Sequence, residues 1–373
     1  MVRDASWEPV VFVPRGVGVP GVFAQEAEKG CLRASGPRHQ ARSLTNLPRV
    51  IEPLAMGAKI VLSAVLLCAS REFRRADVVH ANTSRSAVYG AVAAWLTRKP
   101  LVVHLRDRVD RESLGSFGER ALSWILKHRA EGVIANSDAT LRTAERHIRR
   151  PAACETIWSH TGTAIADDAY PTVADLRRLE AGSRITVGMV ARLDPWKGQE
   201  VLLRAVSLLP SDIRRKIAVV LVGGTSFGHA GFEGELRKLS SELGVADIVE
   251  FTGHVEDVVQ HIDQFDICVQ CSTRPEPLGQ NVLQYLARGR PIVVADEGGP
   301  RELVTEGVSG SLFASRQPQS LADSLRALVE TSSLRRSLAS GALASMRGAS
   351  DQELSSRYAR FFAMIALGVS REL

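Results

Sequence analysis

The chain has 373 residues, of which 45% are hydrophobic and 24% charged, a balance typical of globular proteins with more than one core. The formal net charge is +6, which indicates either a solvated basic surface or attraction to phosphorylated ligands and anionic membranes. Aromatic residues make up only 5% and are not interleaved with Lys and Arg clusters, which argues against nucleic-acid binding.

The N-terminal half begins with a polar stretch, MVRDASWEP, that leads directly into a strand-like VVFV, so no signal peptide is expected. Residues 15–53 show little periodicity. Three interpretations of this segment are possible: a binding loop, a poorly formed sheet edge or an irregular start to the chain. The apolar run 55–70 is interrupted by Lys59 and two serines, which predicts a core helix instead of a membrane span. Short runs rich in Val and Ile predict strands at 9–14, 76–84, 100–107 and 132–137.

The second half repeats the alternation of buried strands and helices. Strands are predicted at 185–193, 217–224, 248–255, 266–272 and 291–296. Such alternation predicts parallel α/β sheets. The polar segment 166–185 separates the two patterns and is interpreted as a linker. The predicted domains are therefore 1–170 and 183–354, with a C-terminal helix, 355–373, that packs back against the first domain.

Five cysteines occur at irregular spacings, which predicts free thiols in a reducing cytoplasm and no disulfide scaffold. Cys268 and Cys271 form a C-x-x-C pattern inside a predicted strand. Because no second cysteine pair completes a zinc site, we expect core thiols there and no metal.

The stretch GMVARLDPWKG, residues 188–198, places Arg192 at a strand end and Lys197 at the start of the next helix. Two cations beside the free N–H groups of a helix start favour a diphosphate ligand. Arg supplies a planar fork of donors, and Lys supplies a compact charge. Because exposed Arg and Lys residues are common, this pair indicates a ligand site only in combination with the neighbouring motifs.

Two glycine turns follow, in LVGGTSFGHAG and in FTGHV. Gly223 ends a buried strand at the carboxyl edge, where ligands collect in open α/β sheets. The second turn could offer groups to a nucleotide base, from Thr252, Gly253, His254 and Val255. A plain strand-to-helix turn explains either stretch at least as well.

The stretch RPEPLGQNVLQYLARGRPIVVADEGGPRELV, residues 274–304, holds the densest set of candidates. Glu276 precedes a Leu-Gly turn, and a helix begins near Gln280. Gln284 lies eight positions after Glu276, about two turns along that helix. A Gly-Gly-Pro turn then follows the next strand. Glutamate, helix and backbone N–H groups can thus face one ligand together.

These stretches resemble the donor-binding domain of retaining GT-B glycosyltransferases, and of glycosyltransferase family 4 in particular. The family segment G-x-x-x-R-L…K-G appears as GMVARLDPWKG, and the block E-P-x-G…G-G-P-x-E-x-V appears as EPLGQNVLQYLARGRPIVVADEGGPRELV. The resemblance is dense over 185–313, looser over 76–137 and nearly absent before residue 76. It implies an α/β fold of the GT-B type, with two Rossmann-like parallel-sheet domains facing each other across a cleft.

The resemblance also implies how residues contact a nucleotide-sugar donor. Arg192 and Lys197 would neutralise the diphosphate, which gains charge as the glycosidic bond breaks. Glu276 would lie at the donor sugar. Backbone groups would contact the sugar and phosphate, from Leu278, Gly279, Gln280 and Asn281.

Gln284 departs from the family pattern, which has a second Glu at this position to bind ribose hydroxyls. A Gln carbonyl still accepts a hydrogen bond from a hydroxyl and its amide can donate one, so ribose binding is expected to persist in weaker form. Because of this departure, an inactive homologue of the family is an alternative interpretation of the chain.

In the first domain, family members place a His near the end of the strand that here reads PLVVHLRD. The favoured register puts Arg106 at that position, then Asp107, with His104 two residues earlier on the same side of the strand. His104 either reaches the cleft or packs in the core, and Asp107 either contacts the sugar or caps a helix. Gly16 and Gly18, in PRGVGVPG, stand where family members contact donor phosphates.

The implied activity is that of a metal-independent, retaining glycosyltransferase. It would move a sugar from a UDP- or GDP-type donor to a hydroxyl of a glycan, a lipid carrier or a secondary metabolite. No D-x-D motif occurs, and no metal or other cofactor is expected beyond the donor as co-substrate. The alternatives are a GT-B pseudo-glycosyltransferase, a nucleotide-sugar epimerase and a silent nucleotide-sugar-binding subunit. We expect a cytoplasmic protein, with peripheral membrane contact left open.

Overall fold

A computed structural model of the protein describes residues 8–13, 32–34, 52–148, 152–158, 184–225 and 229–368. Backbone contacts divide the chain into two units. Unit 1 combines Met1–Trp158 with Gln352–Leu373, and unit 2 is Ser159–Asp351.

Unit 1 contains a four-stranded parallel sheet of order β3-β4-β5-β6 and a separate parallel pair, β1-β2. Its strands are β1 (Val11–Val13), β2 (Leu32–Ala34), β3 (Val79–Ala81), β4 (Leu101–Leu105), β5 (Ala130–Ala135) and β6 (Ala153–Thr156). Its α-helices are α1 (Glu52–Ala69), α2 (Arg71–Arg75), α3 (Ser84–Thr97), α4 (Arg111–His128), α5 (Asp138–Ala144) and α14 (Asp351–Ala366), numbered in chain order.

Both faces of the unit 1 sheet are covered, which explains why all five residues of β4 are buried. On one face, Val103 and Val133 join a core formed with α1, α3 and α4. On the other face, Val102 and Ile134 pack against residues of α14, among them Phe361. The C-terminal helix is therefore part of the core of unit 1.

Unit 2 contains a six-stranded parallel sheet of order β12-β11-β10-β7-β8-β9. Its strands are β7 (Ile185–Val190), β8 (Ile217–Val222), β9 (Val249–Gly253), β10 (Ile267–Gln270), β11 (Ile292–Ala295) and β12 (Ser311–Phe313). Its α-helices are α6 (Gln199–Leu208), α7 (Ser211–Arg214), α8 (Phe232–Glu242), α9 (Val258–Ile262), α10 (Gln280–Ala287), α11 (Gly298–Leu303), α12 (Pro318–Glu330) and α13 (Ser332–Ser345).

The unit 2 sheet also separates two apolar cores. Val187 and Met189 of β7 point into one core, and Phe265 belongs to the other. Between them, Gly188 lies directly under the Phe265 ring, where an added Cβ would come within 2.1 Å of a ring carbon. Only glycine leaves room for that ring, so this position is set by packing.

The predicted α/β fold of two parallel-sheet domains is confirmed, with local corrections. The strand predicted at 76–84 is only Val79–Ala81, because Thr83 accepts a hydrogen bond from the Ser86 N–H and caps α3. The short edge strands β6 and β12 were not predicted. Most of the irregular segments 15–53 and 166–185 lies outside the described residues.

The apolar run at 55–70 forms most of α1, as predicted, and its Ala64 and Leu67 enter the core of unit 1. Within the described ranges, none of the helices has both the length and the apolar character that crossing a bilayer requires.

The packing of α14 gives a direct test of its place in unit 1. Phe361 is 1% exposed, whereas Phe117 on α4 is 63% exposed. We expect Phe361→Ala to lower the free energy of unfolding of unit 1 by about 3–5 kcal/mol, through lost burial and the cavity left behind. Hydrogen exchange of peptides from β4 and β5 measures this. Phe117→Ala is the matched control, and equal protection in the two variants would contradict the assignment.

Candidate functional site

The candidate residues of unit 2 lie in loops after β7, β8, β9 and β10, at the carboxyl edge of the sheet. In open parallel sheets this is the edge where ligands bind. Backbone contacts join the loops. The Leu193 N–H donates to the Gly224 carbonyl at 2.9 Å, and the Gly223 N–H donates to the Gly253 carbonyl at 2.9 Å.

The centre of this edge is an ion pair between Lys197 and Glu276. The Lys197 Nζ lies 2.6 Å from the Glu276 Oε1, and the two side chains are only 14% and 12% exposed. The Glu276 Oε2 accepts hydrogen bonds from the Gln270 Nε2 at 3.0 Å and from the Ser272 hydroxyl at 2.8 Å. Three donors therefore compensate a largely buried carboxylate.

Gln270 connects this pair to the sheet, and sequence reasoning missed it. Its side chain is buried at the end of β10, and its Oε1 accepts the Ala295 N–H of β11 at 3.3 Å. The amide group thus joins Glu276 to the neighbouring strand. A polar residue that ends a wholly buried parallel strand was the available signal.

The turn before α6 positions Lys197. The Asp194 carboxylate accepts the Trp196 N–H at 3.4 Å, and the Lys197 Nζ lies 4.0 Å from the centroid of the Trp196 ring. This contact is a cation–π interaction. Gly198 then turns the chain with φ of +85°, and a Cβ there would meet the Cys271 carbonyl oxygen at 1.8 Å. The turn requires glycine.

Cys271 is also part of this contact. Its Sγ donates to the Gly198 carbonyl at 3.1 Å, and burial raises the pKa of the Cys271 thiol to about 12. Cys268 is buried within β10. Both cysteines are free thiols, and among the described residues no group of three or more His, Cys, Asp or Glu could hold a metal ion.

The Gly-Gly-Pro turn packs against the loop that carries Glu276. The Gly299 N–H donates to the Glu276 carbonyl at 2.8 Å. Gly298 has φ of +71°, and a Cβ there would lie 2.7 Å from the same carbonyl oxygen. This close approach explains why a second glycine turn follows so soon after the first in the sequence.

Gly279, with φ of +86° and no side-chain cap, directly precedes helix α10 at this site. Gln280 and Asn281 are the first two residues of the helix. The Asn281 side chain donates to the Val190 carbonyl at 3.1 Å, so it ties α10 to β7. Leu278 is buried, and Gln284 is half-buried on α10.

The remaining predicted residues of unit 2 lie along the same edge. The backbone carbonyl of Arg192 accepts a hydrogen bond from the Gln199 Nε2 at 2.8 Å. The Arg192 guanidinium is exposed and bonds to none of the described residues. Gly223 follows β8, and Thr252 and Gly253 end β9. His254 is exposed, and Val255 is half-buried.

In unit 1, Arg106 and Asp107 follow β4 at the carboxyl edge and are exposed. The Arg106 Nε donates to the Asn82 Oδ1 at 3.0 Å, and the Asp107 carboxylate accepts a hydrogen bond from Ser84. The Oδ1 of the buried Asn136 has no partner among the described residues. Gly16 and Gly18 lie outside the described residues.

His104 lies inside the fold, not at the edge. Its ring is 1% exposed and stacks on His80 with 5.5 Å between ring centroids, while Tyr358 of α14 lies 6.0 Å away. Neither ring nitrogen bonds to a described residue, and burial lowers the pKa of His104 to about 2. This neutral, enclosed ring favours a packing role over contact with a substrate.

Two family models match the chain and together span most of it. The family described as Glycosyltransferase Family 4 matches residues 7–159, and the family described as Glycosyl transferases group 1 matches residues 177–344.

Curated relatives match in part. The D-inositol 3-phosphate glycosyltransferase of Nocardioides sp. is 28% identical over 291 residues, which are 73% of this chain and 63% of the relative. The GDP-mannose-dependent alpha-(1-6)-phosphatidylinositol monomannoside mannosyltransferase of Mycobacterium tuberculosis is 36% identical over 168 residues, 42% of this chain and 41% of that protein. The chain therefore spans less than two thirds of the length of these relatives.

Solved structures show the same architecture. The crystal structure of Anabaena HepE in complex with UDP and glucose has a TM-score of 0.70 and 26% identity, and the match covers 91% of this chain and 89% of that chain.

The buried His104 ring makes unit 1 sensitive to acid. Its pKa is about 2 in the fold, whereas an unfolded histidine titrates near 6.5. Only the unfolded chain binds this proton between those values, so the free energy of unfolding falls as pH drops below about 6.5. We expect a loss of about 1.4 kcal/mol from this group between about pH 7.5 and pH 5.5.

Hydrogen exchange of unit 1 peptides at the two pH values, with correction for intrinsic exchange rates, measures the loss. His104→Phe should remove only the part of the loss that His104 contributes, because desolvation also lowers the pKa of the stacked His80, to about 4, and His80 keeps its own contribution. His229→Phe, which changes an exposed histidine of unit 2, should leave the whole loss in place. An unchanged pH dependence in His104→Phe would show that another group carries the effect.

Proposed function

Because the chain belongs to glycosyltransferase family 4 and has the GT-B fold, we propose that it transfers a sugar from a nucleotide-diphosphate sugar to an acceptor hydroxyl. We further propose that the transfer retains the anomeric configuration and needs no metal ion. The observation that carries the proposal is the Lys197–Glu276 pair at the carboxyl edge of unit 2, beside the start of α10.

Lys197 suits the leaving group of this reaction. A nucleoside diphosphate gains negative charge as the glycosidic bond breaks, and a cation already fixed in a shielded site stabilises that charge without reorganisation. Lys197 is held by Glu276 and by the Trp196 ring. The exposed guanidinium of Arg192 supplies a second cation, with the planar donors that phosphate oxygens accept.

Glu276 suits the sugar as an acceptor of hydroxyl hydrogen bonds. Both of its carboxylate oxygens already accept from Lys197, Gln270 or Ser272. Hydrogen bonds to both oxygens reduce the nucleophilicity of a carboxylate, so Glu276 is better suited to orienting the donor than to forming a covalent intermediate. We infer that the donor phosphate, not a protein side chain, assists the attacking hydroxyl.

The similar proteins narrow the donor and acceptor to be tested. The HepE crystal contains UDP and glucose, and the mycobacterial relative is named for GDP-mannose. We therefore propose a UDP- or GDP-linked hexose as donor. The acceptor is a hydroxyl of a glycan, a lipid carrier or a small metabolite, and an inositol phosphate is the first to test because the Nocardioides relative is named for it.

A second candidate function is a nucleotide-sugar-binding subunit without turnover. The observation that favours it is Gln284, which stands where the family pattern has a ribose-binding Glu. A pseudo-glycosyltransferase or epimerase would use the same donor site. Donor hydrolysis without an acceptor separates turnover from silent binding, and an altered sugar product identifies an epimerase.

The donor site is tested by removing the cation. We expect Lys197→Ala to weaken binding of UDP or GDP at least tenfold and to lower donor turnover by roughly 10²–10³, since it removes the charge beside the leaving group. Calorimetry with each nucleotide and a donor-hydrolysis assay measure the two effects.

The matched control is Lys238→Ala, which removes an exposed lysine of unit 2 paired with Glu242 on α8. Melting without nucleotide shows whether each variant folds. Wild-type nucleotide binding in a folded Lys197→Ala variant would exclude Lys197 from the diphosphate site.

Gln284→Glu restores the carboxylate of the family pattern. We expect this variant to bind the donor as well as the wild type or better, because a carboxylate accepts hydrogen bonds from ribose hydroxyls more strongly than an amide does. Donor affinity by calorimetry measures the change. Loss of binding would mean that the Gln284 amide makes a contact of its own.

A further inference from the structure

Unit 1 contains a cavity at the amino-terminal edge of its sheet. Its volume is about 530 Å³, within the range of small-molecule pockets. The lining includes Trp95, Arg98, Lys99, Arg129, Glu131 and Ile365, all residues of unit 1.

The cavity is distinct from the edge that holds Arg106. Arg129 directly precedes β5, and Lys99 lies two residues before β4. Arg106 follows the last residue of β4. The five residues of β4 separate the two edges by about 16 Å. A ligand in this cavity would therefore not contact Arg106 or Asp107.

Three cations and one carboxylate line the cavity, which leaves an excess of positive charge. The Glu131 carboxylate already has a hydrogen-bond partner, because its Oε2 accepts the Leu101 N–H at 2.8 Å. The Lys99 Nζ donates to the carbonyls of Arg74, at 3.0 Å, and Ala76. An ammonium has three donors, so one remains for a ligand.

The two arginine side chains make no comparable contacts with the described residues. Within the described ranges, neither the Arg98 nor the Arg129 guanidinium forms a hydrogen bond or ion pair, and the Arg129 Nε is buried without a partner. Basic residues often serve only to offset the negative end of a helix, and α3 and α4 both end nearby. Here the Lys99 side chain bonds to carbonyls at the end of α2, whereas the Arg98 and Arg129 side chains bond to no carbonyl of the described residues.

The backbone at Arg98 adds a second observation. Arg98 caps α3 in the left-handed conformation with φ of +54°, and Arg316 is the only other non-glycine residue with positive φ among those described. Glycine adopts this conformation without the steric cost that a side chain incurs. An arginine at this position incurs that steric cost, and it places a guanidinium group at the cavity.

We propose that this cavity binds a phosphate-bearing ligand through Arg98 and Arg129, with Lys99 supplying a third donor. Guanidinium groups match phosphate oxygens in paired hydrogen bonds, and three cations suit an ion with more than one negative charge. The cavity is larger than a phosphate ion, and Trp95 and Ile365 offer apolar contact to an organic group.

The phosphate could come from a soluble metabolite or from a phospholipid headgroup. The Trp95 side chain is 61% exposed at the cavity, and the neighbouring Leu96 is exposed as well, which makes a bilayer surface the second source to test. The soluble probes are inorganic phosphate and glycerol 3-phosphate. The membrane probes are vesicles of phosphatidylcholine alone and of a three-to-one mixture with phosphatidylglycerol.

The decisive variant is Arg98→Gln combined with Arg129→Gln. We expect it to raise the Kd of the binding probe roughly tenfold or more, since each change removes a charge-assisted hydrogen bond. Arg326→Gln removes an exposed arginine of unit 2 and should leave the Kd unchanged. The soluble probes are also titrated in a Lys197→Ala background, so that phosphate bound at the proposed donor site does not contribute to the measured Kd.

If the wild type binds the soluble probes and the double variant does not, the proposal is supported and the ligand is a soluble metabolite. Binding only to phosphatidylglycerol vesicles, again lost in the double variant, would support it and identify a headgroup. No binding of any probe, or equal binding by the double variant, would overturn it.

Indole fluorescence gives an independent readout if the double variant does not fold. Trp95→Phe keeps all three cations, so the probe should still bind by calorimetry while the fluorescence change disappears. A fluorescence change that persists in Trp95→Phe would place the ligand elsewhere and overturn the proposal.

Discussion

The Glu276 carboxylate joins the loops on which the candidate site of unit 2 depends. Its oxygens accept from Lys197, Gln270 and Ser272, and its backbone carbonyl accepts the Gly299 N–H. The loops after β7, β10 and β11 thus meet at one residue. Removing one partner of such a shielded pair typically costs 3–5 kcal/mol, because the other charge stays buried without compensation.

This arrangement bears on the proposed binding of the donor. Without a ligand, Lys197 and Glu276 neutralise each other at 2.6 Å. A diphosphate would offer Lys197 a second anion, and sugar hydroxyls would offer Glu276 additional donors. Both groups are thus held in place before binding, which reduces the conformational entropy lost when the donor is positioned. The glycines at 198 and 298 contribute by allowing backbone approaches that a side chain would block.

The two edges of the unit 1 sheet differ in chemistry. At the carboxyl edge, Arg106 and Asp107 make polar contacts with neighbouring loops, while His104 is enclosed by aromatic rings within the layer. At the amino edge, the cavity is lined by Arg98 and Arg129, whose guanidinium groups pair with no carboxylate of the described residues. A parallel sheet separates its two edges by the length of its strands, so one unit can carry independent sites at both.

By itself, the sequence determined the α/β class, the parallel sheets and the stretches that carry the donor motifs, because strand periodicity and glycine turns are local properties of the chain. Tertiary structure decided which of those residues meet. Lys197 and Glu276 are 79 positions apart. Gln270 bonds to Glu276 and, because β10 pairs with β11, also to the Ala295 N–H. Strand alternation put His104 and Arg106 on one side of β4, but α14, from the far end of the chain, encloses the first and leaves the second exposed. Such burial depends on long-range packing, which local sequence patterns do not specify.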